Sequence, residues 1–205
     1  LGKFDYKKDS NFSIVSSKYS SKTIYLRKEV LQKFDQMYDA ALKDGIKLVI
    51  ISGTRSFKHQ KYIWDRKWNK NILNMDSISA VKEIMKYSSM PSTSRHHWGT
   101  DVDLNSLENS YFEKGEGKKI FDWLVANAFK YGFHMTYDNQ EETKRTGYKM
   151  EKWHWSYMPI SKKFLIQFNE YIKCENISSF KGSKFACHQD VDVIKNFVNG
   201  INTDF

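Results

Sequence analysis

Two short segments of the sequence carry residue types that bind metal ions and assist hydrolysis. The first is SRHHWGTDVD at positions 94–103, where a histidine pair is followed by a glycine, which allows a tight backbone path, and then by an aspartate on a predicted strand. Imidazole nitrogen and carboxylate oxygen are both good ligands for zinc. Because side chains alternate along a strand, Asp101 and Asp103 are expected on one face, with Val102 and Leu104 pointing into the core.

The second segment, EKWH at positions 151–154, places a carboxylate three residues before another histidine, next to aromatic side chains that exclude water. A catalytic zinc needs three protein ligands, an open position for water and a nearby base, and the two segments together supply this set. The residues alone leave open whether His96 or His97 is a ligand, because the two are adjacent. Metal-assisted hydrolysis needs no serine or cysteine nucleophile, and no nucleophile elbow such as GxSxG is present.

The spacing of apolar residues predicts the helices and strands that hold these segments. Val30, Phe34, Met37 and Ala41 recur at helical spacing, and Gly45 is expected to end that helix. Helices are predicted at about 25–43, 78–87, 117–131, 159–173 and 191–198. A further predicted helix includes residues 60–64. The predicted strands cover about 47–52, 100–104, 133–137 and 153–157.

Two further segments have no strong periodicity. Residues 1–23 are polar and are expected to form an irregular N-terminal arm, and residues 138–147 are expected to form a charged hairpin loop or lid. Helices and short strands in this order, without regular βαβ alternation, predict an α+β fold class. The expected architecture is a single domain with a small, mainly antiparallel sheet flanked by helices.

The composition describes one ordinary domain with a basic surface. The 205 residues include 33 lysines and arginines against 24 acidic residues, which gives a net charge of +9. This charge favours an anionic partner, and nucleic acid, anionic lipid and acidic cell wall all qualify. The basic residues are scattered without a recognised motif, so nucleic acid is not expected as a partner. No run of 18 apolar residues occurs, so no transmembrane segment is expected.

The start of the chain and its two cysteines bear on export. The chain begins at Leu1 without a charged and then apolar leader, so any export signal is expected to be missing from it. Cys174 and Cys187 would form a disulfide in an exported protein. Two free buried thiols are an equally good interpretation, since cysteine is often buried.

Several segments, taken in order, resemble one known family. The segments SGTRS at 52–56, Gln60, SRHHWGTDVD at 94–103, YGF at 131–133 and EKWHW at 151–155 are similar to motifs of the VanY-type D-alanyl-D-alanine carboxypeptidases, which are zinc peptidases of bacterial peptidoglycan. They cover that family's catalytic core, about residues 46–160. The resemblance implies one zinc peptidase domain over residues 1–205, with 1–23 as an N-terminal arm and 161–205 as C-terminal helices.

The resemblance also implies a role for each residue of the expected centre. One zinc ion per chain would be bound by His96, Asp103 and His154. Glu151 would be the general base that takes a proton from zinc-bound water. Arg55 would polarise the scissile carbonyl and stabilise the oxyanion that develops on it.

The resemblance also indicates which residues line the substrate site and which histidine is the metal ligand. Ser94, Gln60 and Ser56 match positions that line the family's substrate site. The family register favours His96 over its neighbour as the ligand. Asp101 departs from the pattern, because many family members carry a small residue such as alanine there.

The implied activity is hydrolysis of the terminal D-Ala-D-Ala bond of peptidoglycan stem peptides, in the cell envelope or periplasm of a bacterium. An L,D-carboxypeptidase and a peptidoglycan endopeptidase on the same scaffold are alternatives, because they would share the metal centre and differ only in the pocket for the leaving residue. A non-enzymatic, zinc-stabilised module that binds cell wall is a further alternative. The presence of Glu151 argues against it.

Overall fold

The strands in the computed structural model, which describes residues 1–203, form two small antiparallel sheets. The strands are β1 (Phe12–Ile14), β2 (Tyr25–Arg27), β3 (Ile50–Ser52), β4 (Asp101–Leu104), β5 (Phe133–Met135) and β6 (His154–Tyr157). β1 pairs with β2, and the other four form a sheet in the order β3-β4-β6-β5. The expectation of a small antiparallel sheet is confirmed.

Helices pack around the four-stranded sheet. They are α1 (Lys28–Lys43), α2 (Phe57–Asn71), α3 (Ser77–Ile84), α4 (Gly115–Asn127), α5 (Gln140–Thr143) and α6 (Met158–Tyr171). In α1 the residues at helical spacing, Val30, Phe34, Met37 and Ala41, are all buried. The helix is followed by Gly45 at φ +76°, as its pattern predicts. The α+β fold class is confirmed.

The core has two main clusters, and the chemical segments lie where the two approach each other. The larger cluster joins α1, α4 and the sheet, and includes Phe34, Val102 and Leu104. The second joins α2, α3, α6 and the C-terminal segment around Trp64 and Phe168. The site is therefore supported on both sides by packed side chains, which hold it rigidly.

Several boundaries differ from the sequence expectation; for example, the strand predicted at 47–52 begins at Ile50 and the helix predicted at 78–87 ends at Ile84. The N-terminal arm is not irregular throughout, because β1 pairs with β2. For the same reason, the predicted helix at 25–43 begins only at Lys28. The predicted loop at 138–147 contains the single-turn helix α5, which Asn139 caps by accepting a hydrogen bond from the backbone of Glu141. Strand pairing depends on distant partners, which local periodicity does not report.

The C-terminal segment is mostly irregular, where the sequence predicts helices. After α6, the helical parts are short 3-10 turns at Cys174–Asn176 and Ser183–Phe185 and a π-helical turn at Val193–Val198.

Cys174 and Cys187 form a disulfide with a Cα–Cα distance of 5.4 Å, so the interpretation as free thiols is wrong. Within residues 1–203, no helix has the length and apolar character needed to cross a membrane.

Candidate metal centre

The pairing of β4 with β6 brings together the chemical residues of the two sequence segments. Asp103 lies directly opposite His154, and Asp101 lies opposite Ser156. Both aspartates contact the His154 ring, while Val102 between them has no exposed surface and belongs to the core. The expected acidic face of this strand is therefore present, and it is buried rather than solvated.

A tight turn places the first histidine against this face. The 3-10 turn Arg95–Trp98 ends at Gly99, whose φ is +72°. A Cβ atom there would lie 2.3 Å from a ring carbon of Phe12, so the position requires glycine. His96 lies on this turn with Nδ1 2.8 Å from the carbonyl oxygen of Gly53. Its Nε2 faces the strand, 3.3 Å from Asp103 Oδ2.

His154 is held in a similar way from the other side. Its Nε2 lies 2.9 Å from Asp101 Oδ2, and its Nδ1 lies 3.1 Å from Asp103 Oδ1. Because the carbonyl of Gly53 and the carboxylate of Asp101 are acceptors for one nitrogen of each histidine, the other nitrogen, which faces Asp103, is the one that would bind a metal ion once it has lost its proton. Such outer acceptors fix the tautomer of metal-binding histidines.

These three side chains fit a single metal ion. Ligand atoms of His96, Asp103 and His154 all lie within 4.8 Å of one another, and each residue is buried. Two imidazole nitrogens and one carboxylate oxygen form a donor set typical of catalytic zinc, which leaves a position for water or substrate. The arrangement therefore matches a mononuclear metal centre in both chemistry and spacing.

His97, the other candidate in the histidine pair, points away from this group. Its Nδ1 lies 2.7 Å from the carbonyl oxygen of Arg55, and its Nε2 accepts a hydrogen bond from the backbone N–H of Ser92. Burial lowers the pKa of His97 to about 3, against the raising effect of the Arg55 carbonyl. Both nitrogens of this neutral ring are therefore used by the backbone, and the structure brings His96 to the group instead.

The pKa values of these buried side chains depend on one another. Burial by itself would raise the pKa of Asp103, but His96 and His154 hold it well below the ordinary value. Burial would lower the pKa of His154, but its hydrogen bonds to Asp101 and Asp103 raise the pKa to about 9. A metal ion at this position would displace the proton from His154, because only the neutral ring is a ligand.

Glu151 lies beside the three residues without being one of them. Its Oε2 is 3.8 Å from His154 Nδ1, and its backbone N–H donates to the carbonyl of Tyr137. Burial raises the pKa of Glu151 to about 7, although His154 opposes the shift. A carboxyl with a pKa near neutrality can both accept and return a proton, as general acid-base catalysis requires.

Arg55 also lies beside the group and is fixed by two contacts. Its Nη2 lies 3.2 Å from Asp103 Oδ2, and its Nη1 donates to Gln60 Oε1 at 3.1 Å. Its Nε is buried and has no hydrogen-bond partner among the residues that the structure describes. Gln60 is buried and donates through Nε2 to the carbonyl of Ser89. Gln60 thus acts as a support for the guanidinium.

A small cavity opens onto these groups. Its lining residues are Arg55, Tyr87, Ser88, Ser89, Ser94, Arg95, His96, Tyr137, Tyr148, Glu151 and His154. Of the three expected substrate residues, only Ser94 is among them. Gln60 lies behind Arg55, and Ser56 caps α2 by accepting a hydrogen bond from the backbone N–H of His59. A wider groove continues from the cavity past Arg66, Lys67 and Trp153.

Sequence reasoning missed more than half of the residues that line the cavity, and it missed the function of Asp101. Arg95 and Tyr148 line the cavity, and both are buried. Asp101, noted only as a departure, accepts hydrogen bonds from Arg95 Nε, Thr100 Oγ1 and Ser156 Oγ and also contacts His154. The charge pair of Arg95 with a residue six positions later was visible in the sequence, but its burial was not.

The fold and the site define an α+β domain with a candidate mononuclear metal centre of the hydrolytic type. The chain belongs to the VanY D-alanyl-D-alanine carboxypeptidase family, whose model matches residues 23–160. This confirms the resemblance seen in the sequence motifs.

Two relatives illustrate the similarity in sequence. The chain is 33% identical over 152 residues to the putative carboxypeptidase YodJ of Bacillus subtilis, a match that covers 71% of this chain and 51% of that protein. It is 28% identical over 162 residues to a D-alanyl-D-alanine carboxypeptidase of Enterococcus faecium, with 78% of this chain and 46% of the relative covered. The chain thus spans about half the length of these curated relatives.

Solved structures share the fold. VanYB in complex with D-alanine-D-alanine has a TM-score of 0.61 at 22% identity, covering 89% of this chain and 91% of that chain. The LD-carboxypeptidase LdcB has a TM-score of 0.60 at 27% identity, covering 83% of this chain and 77% of that chain. A VanY E175A mutant, described as a complex with Zn(II), has a TM-score of 0.57 at 24% identity, with 74% and 88% covered.

Proposed function

We propose that the chain is a zinc-dependent carboxypeptidase that hydrolyses the terminal D-Ala-D-Ala bond of peptidoglycan stem peptides. One zinc ion would be held by His96, Asp103 and His154. The observation that carries the proposal is the convergence of these buried ligand atoms within 4.8 Å, with the Glu151 carboxylate beside them. Membership of the VanY family supports the reaction type.

In this proposal, Glu151 carries out the proton transfers of peptide hydrolysis. When bound, zinc would supply Lewis-acid chemistry that makes water a better nucleophile near neutral pH. Glu151, with a pKa of about 7, takes a proton from the attacking water. The same carboxyl then gives that proton to the departing amine, so the carboxylate is regenerated after each turnover.

Arg55 supplies a fixed positive charge for the oxyanion. Its contacts with Asp103 and Gln60 hold the guanidinium in place before the substrate arrives. Its Nε, which has no hydrogen-bond partner within residues 1–203, would provide a donor for the negative charge that develops on the peptide carbonyl oxygen. Preorganised donors of this kind stabilise the transition state because no reorganisation is needed during the reaction.

The proposed substrate places the protein in the bacterial cell envelope. Ser94 lines the cavity beside the ligands and would contact the peptide. An L,D-carboxypeptidase that acts on tetrapeptide stems is the second candidate, favoured by the likeness to LdcB at 27% identity. Both candidates would use the same metal ligands and the same base, so the choice between them depends on the leaving residue.

The test is release of D-alanine from defined pentapeptide and tetrapeptide stems by the wild-type protein and by Glu151→Gln, at equal zinc occupancy. We expect the wild type to release D-alanine from the pentapeptide. Glu151→Gln should bind zinc equally but react about a hundred to ten thousand times more slowly, since its amide accepts no proton. Equal rates would refute the mechanism, and activity on the tetrapeptide alone would favour the L,D-carboxypeptidase. Zinc binding without hydrolysis of either stem would favour the cell-wall-binding module.

A further inference from the structure

A row of packed aromatic rings leads from the C-terminal segment to the metal-binding residues. Phe197 lies on the π-helical turn Val193–Val198, and its ring packs edge-on against Tyr148 with centroids 5.1 Å apart. Tyr148 packs edge-on against Tyr137 at 5.0 Å, and Tyr137 lies against the His154 ring at 4.6 Å. This aromatic row therefore ends on one of the three proposed zinc ligands.

Tyr137 also holds the proposed base. Its carbonyl oxygen accepts a hydrogen bond of 2.8 Å from the backbone N–H of Glu151, while its ring contacts the His154 ring. Tyr137 is only 4% exposed. Because close-packed side chains transmit a shift to their neighbours, a displacement of Tyr137 would move both the ligand and the base. The position of Tyr137 depends in turn on the ring of Tyr148 behind it.

The C-terminal turn also contacts the loop that leads to Tyr148. Thr146 Oγ1 donates a hydrogen bond to the carbonyl oxygen of Asn196 at 2.9 Å. A Cβ atom on Gly147, whose φ is +81°, would lie 2.3 Å from the same oxygen and 3.1 Å from Phe197 Cα. Only glycine allows the loop and the turn to approach this closely. The turn is therefore held against the loop by backbone contacts as well as by aromatic rings.

We propose that Phe197 is a positioning residue for the metal centre and acts through the aromatic row. This inference rests on the proposed function and adds to it a part of the chain outside residues 23–160, the range that matches the family model. Loss of the Phe197 ring would leave a void behind the row and let it relax away from His154 and Glu151. Groups that orient metal ligands from outside typically change metal affinity or activity by about ten to a hundredfold when they are removed.

The experiment compares Phe197→Ala with Phe185→Ala, which is the matched control. Phe185 lies in the same C-terminal segment, is half-buried like Phe197, and has His188 as its ring partner. The measurements are the zinc dissociation constant by chelator competition, the visible absorption spectrum of the cobalt(II) form, and kcat and KM for D-alanine release. All are made well below the melting temperature of each variant. The first two do not depend on turnover.

We expect Phe197→Ala to bind zinc about tenfold more weakly and to have a kcat lower by about tenfold or more, with KM near the wild-type value. Its cobalt spectrum should change, because that spectrum reports the geometry of the ligands. Phe197→Tyr keeps the ring and should restore the wild-type values. Phe185→Ala should be less stable but should match the wild type in zinc affinity, cobalt spectrum and kcat.

Two further variants test the route from the turn to the ligands. Gly147→Ala places a Cβ atom against the Asn196 carbonyl, so it should reproduce the changes in metal binding and kcat. It keeps the test decisive if Phe197→Ala fails to fold. Tyr137→Leu removes the ring that contacts His154. Because Phe197 is proposed to act through Tyr137, adding Phe197→Ala to Tyr137→Leu should cause no further loss.

The outcomes distinguish this inference from the function on which it rests. A folded Phe197→Ala with wild-type zinc affinity, cobalt spectrum and kcat would overturn the positioning role. Equal changes in Phe185→Ala would also overturn it, because they would follow from lost stability, and so would independent losses that multiply in the double variant with Tyr137→Leu. If the metal readouts change as expected but the wild type hydrolyses neither stem, only the proposed function is contradicted. A wild type that binds no zinc would contradict both.

Discussion

Arg55 offers the sharpest test of how the site stabilises a transition state. The Arg55 side chain is 17% exposed and makes two contacts, Nη2 with Asp103 and Nη1 with Gln60, while its Nε is buried with no hydrogen-bond partner among the described residues. Arg55→Ala removes the preorganised donor. Loss of one such donor typically costs about 2.7–4 kcal/mol, which corresponds to a fall in kcat of about a hundred to a thousandfold.

The same substitution should leave zinc in place. Arg55 is the cation that partners the Asp103 carboxylate, so removing it leaves that carboxylate with one positive charge fewer. A carboxylate without a competing cation is at least as good a ligand for a divalent ion. We therefore expect Arg55→Ala to bind zinc as tightly as the wild type, with the whole defect in kcat.

Two further variants make the test specific. Arg55→Lys keeps a positive charge, but it does not reproduce the planar fork that contacts Asp103 and Gln60, so it should recover only part of the lost rate. Arg66→Lys makes an arginine-to-lysine change in the adjacent groove and should have a kcat near that of the wild type. The assay is D-alanine release under saturating pentapeptide, with zinc content measured in the same samples. Wild-type kcat in Arg55→Ala would refute the reasoning.

The remaining predictions concern the metal and the disulfide. His154→Ala should abolish stoichiometric zinc binding in a chelator competition, whereas His97→Ala should keep most of it, because both nitrogens of His97 contact the backbone. Zinc binding lost in His97→Ala and kept in His154→Ala would reverse the assignment. The Cys174→Ser/Cys187→Ser double variant should lose about 3 kcal/mol of unfolding free energy in denaturant titrations. The reason is that the disulfide, which joins residues 13 positions apart, restricts the unfolded chain. Its kcat should stay at the wild-type value, and unchanged stability would contradict the prediction.

Local pattern predicted the parts of the fold that depend on near neighbours. The alternation in DVDL placed Asp101 and Asp103 on one face and Val102 and Leu104 on the other, because strand geometry has a period of two. The helical spacing from Val30 to Ala41 predicted the body of α1 in the same way. The start of α1 was wrong, because the preceding residues pair with β1, and pairing with a distant strand overrides a local preference.

The candidate metal site was largely predictable because family motifs fix the residue types and their order. Motif order nevertheless gave no information on what supports each residue. Gln60 matched a substrate position, yet it lies behind Arg55 and holds it. Asp101 was only a departure from the pattern, yet it contacts both Arg95 and His154. These functions depend on contacts between segments that are far apart in the chain.

The sequence by itself determined which residues have metal-binding chemistry, since residue type and spacing are local properties. The residue types alone left open which of His96 and His97 turns inward, and the family register favoured His96. The tertiary structure places the His96 ring against Asp103 and both nitrogens of His97 against backbone groups. Only the tertiary structure joined Cys174 to Cys187 and buried Arg95 against Asp101. The physical reason is that burial and hydrogen-bond partners are set by packing between distant segments, which no local pattern encodes.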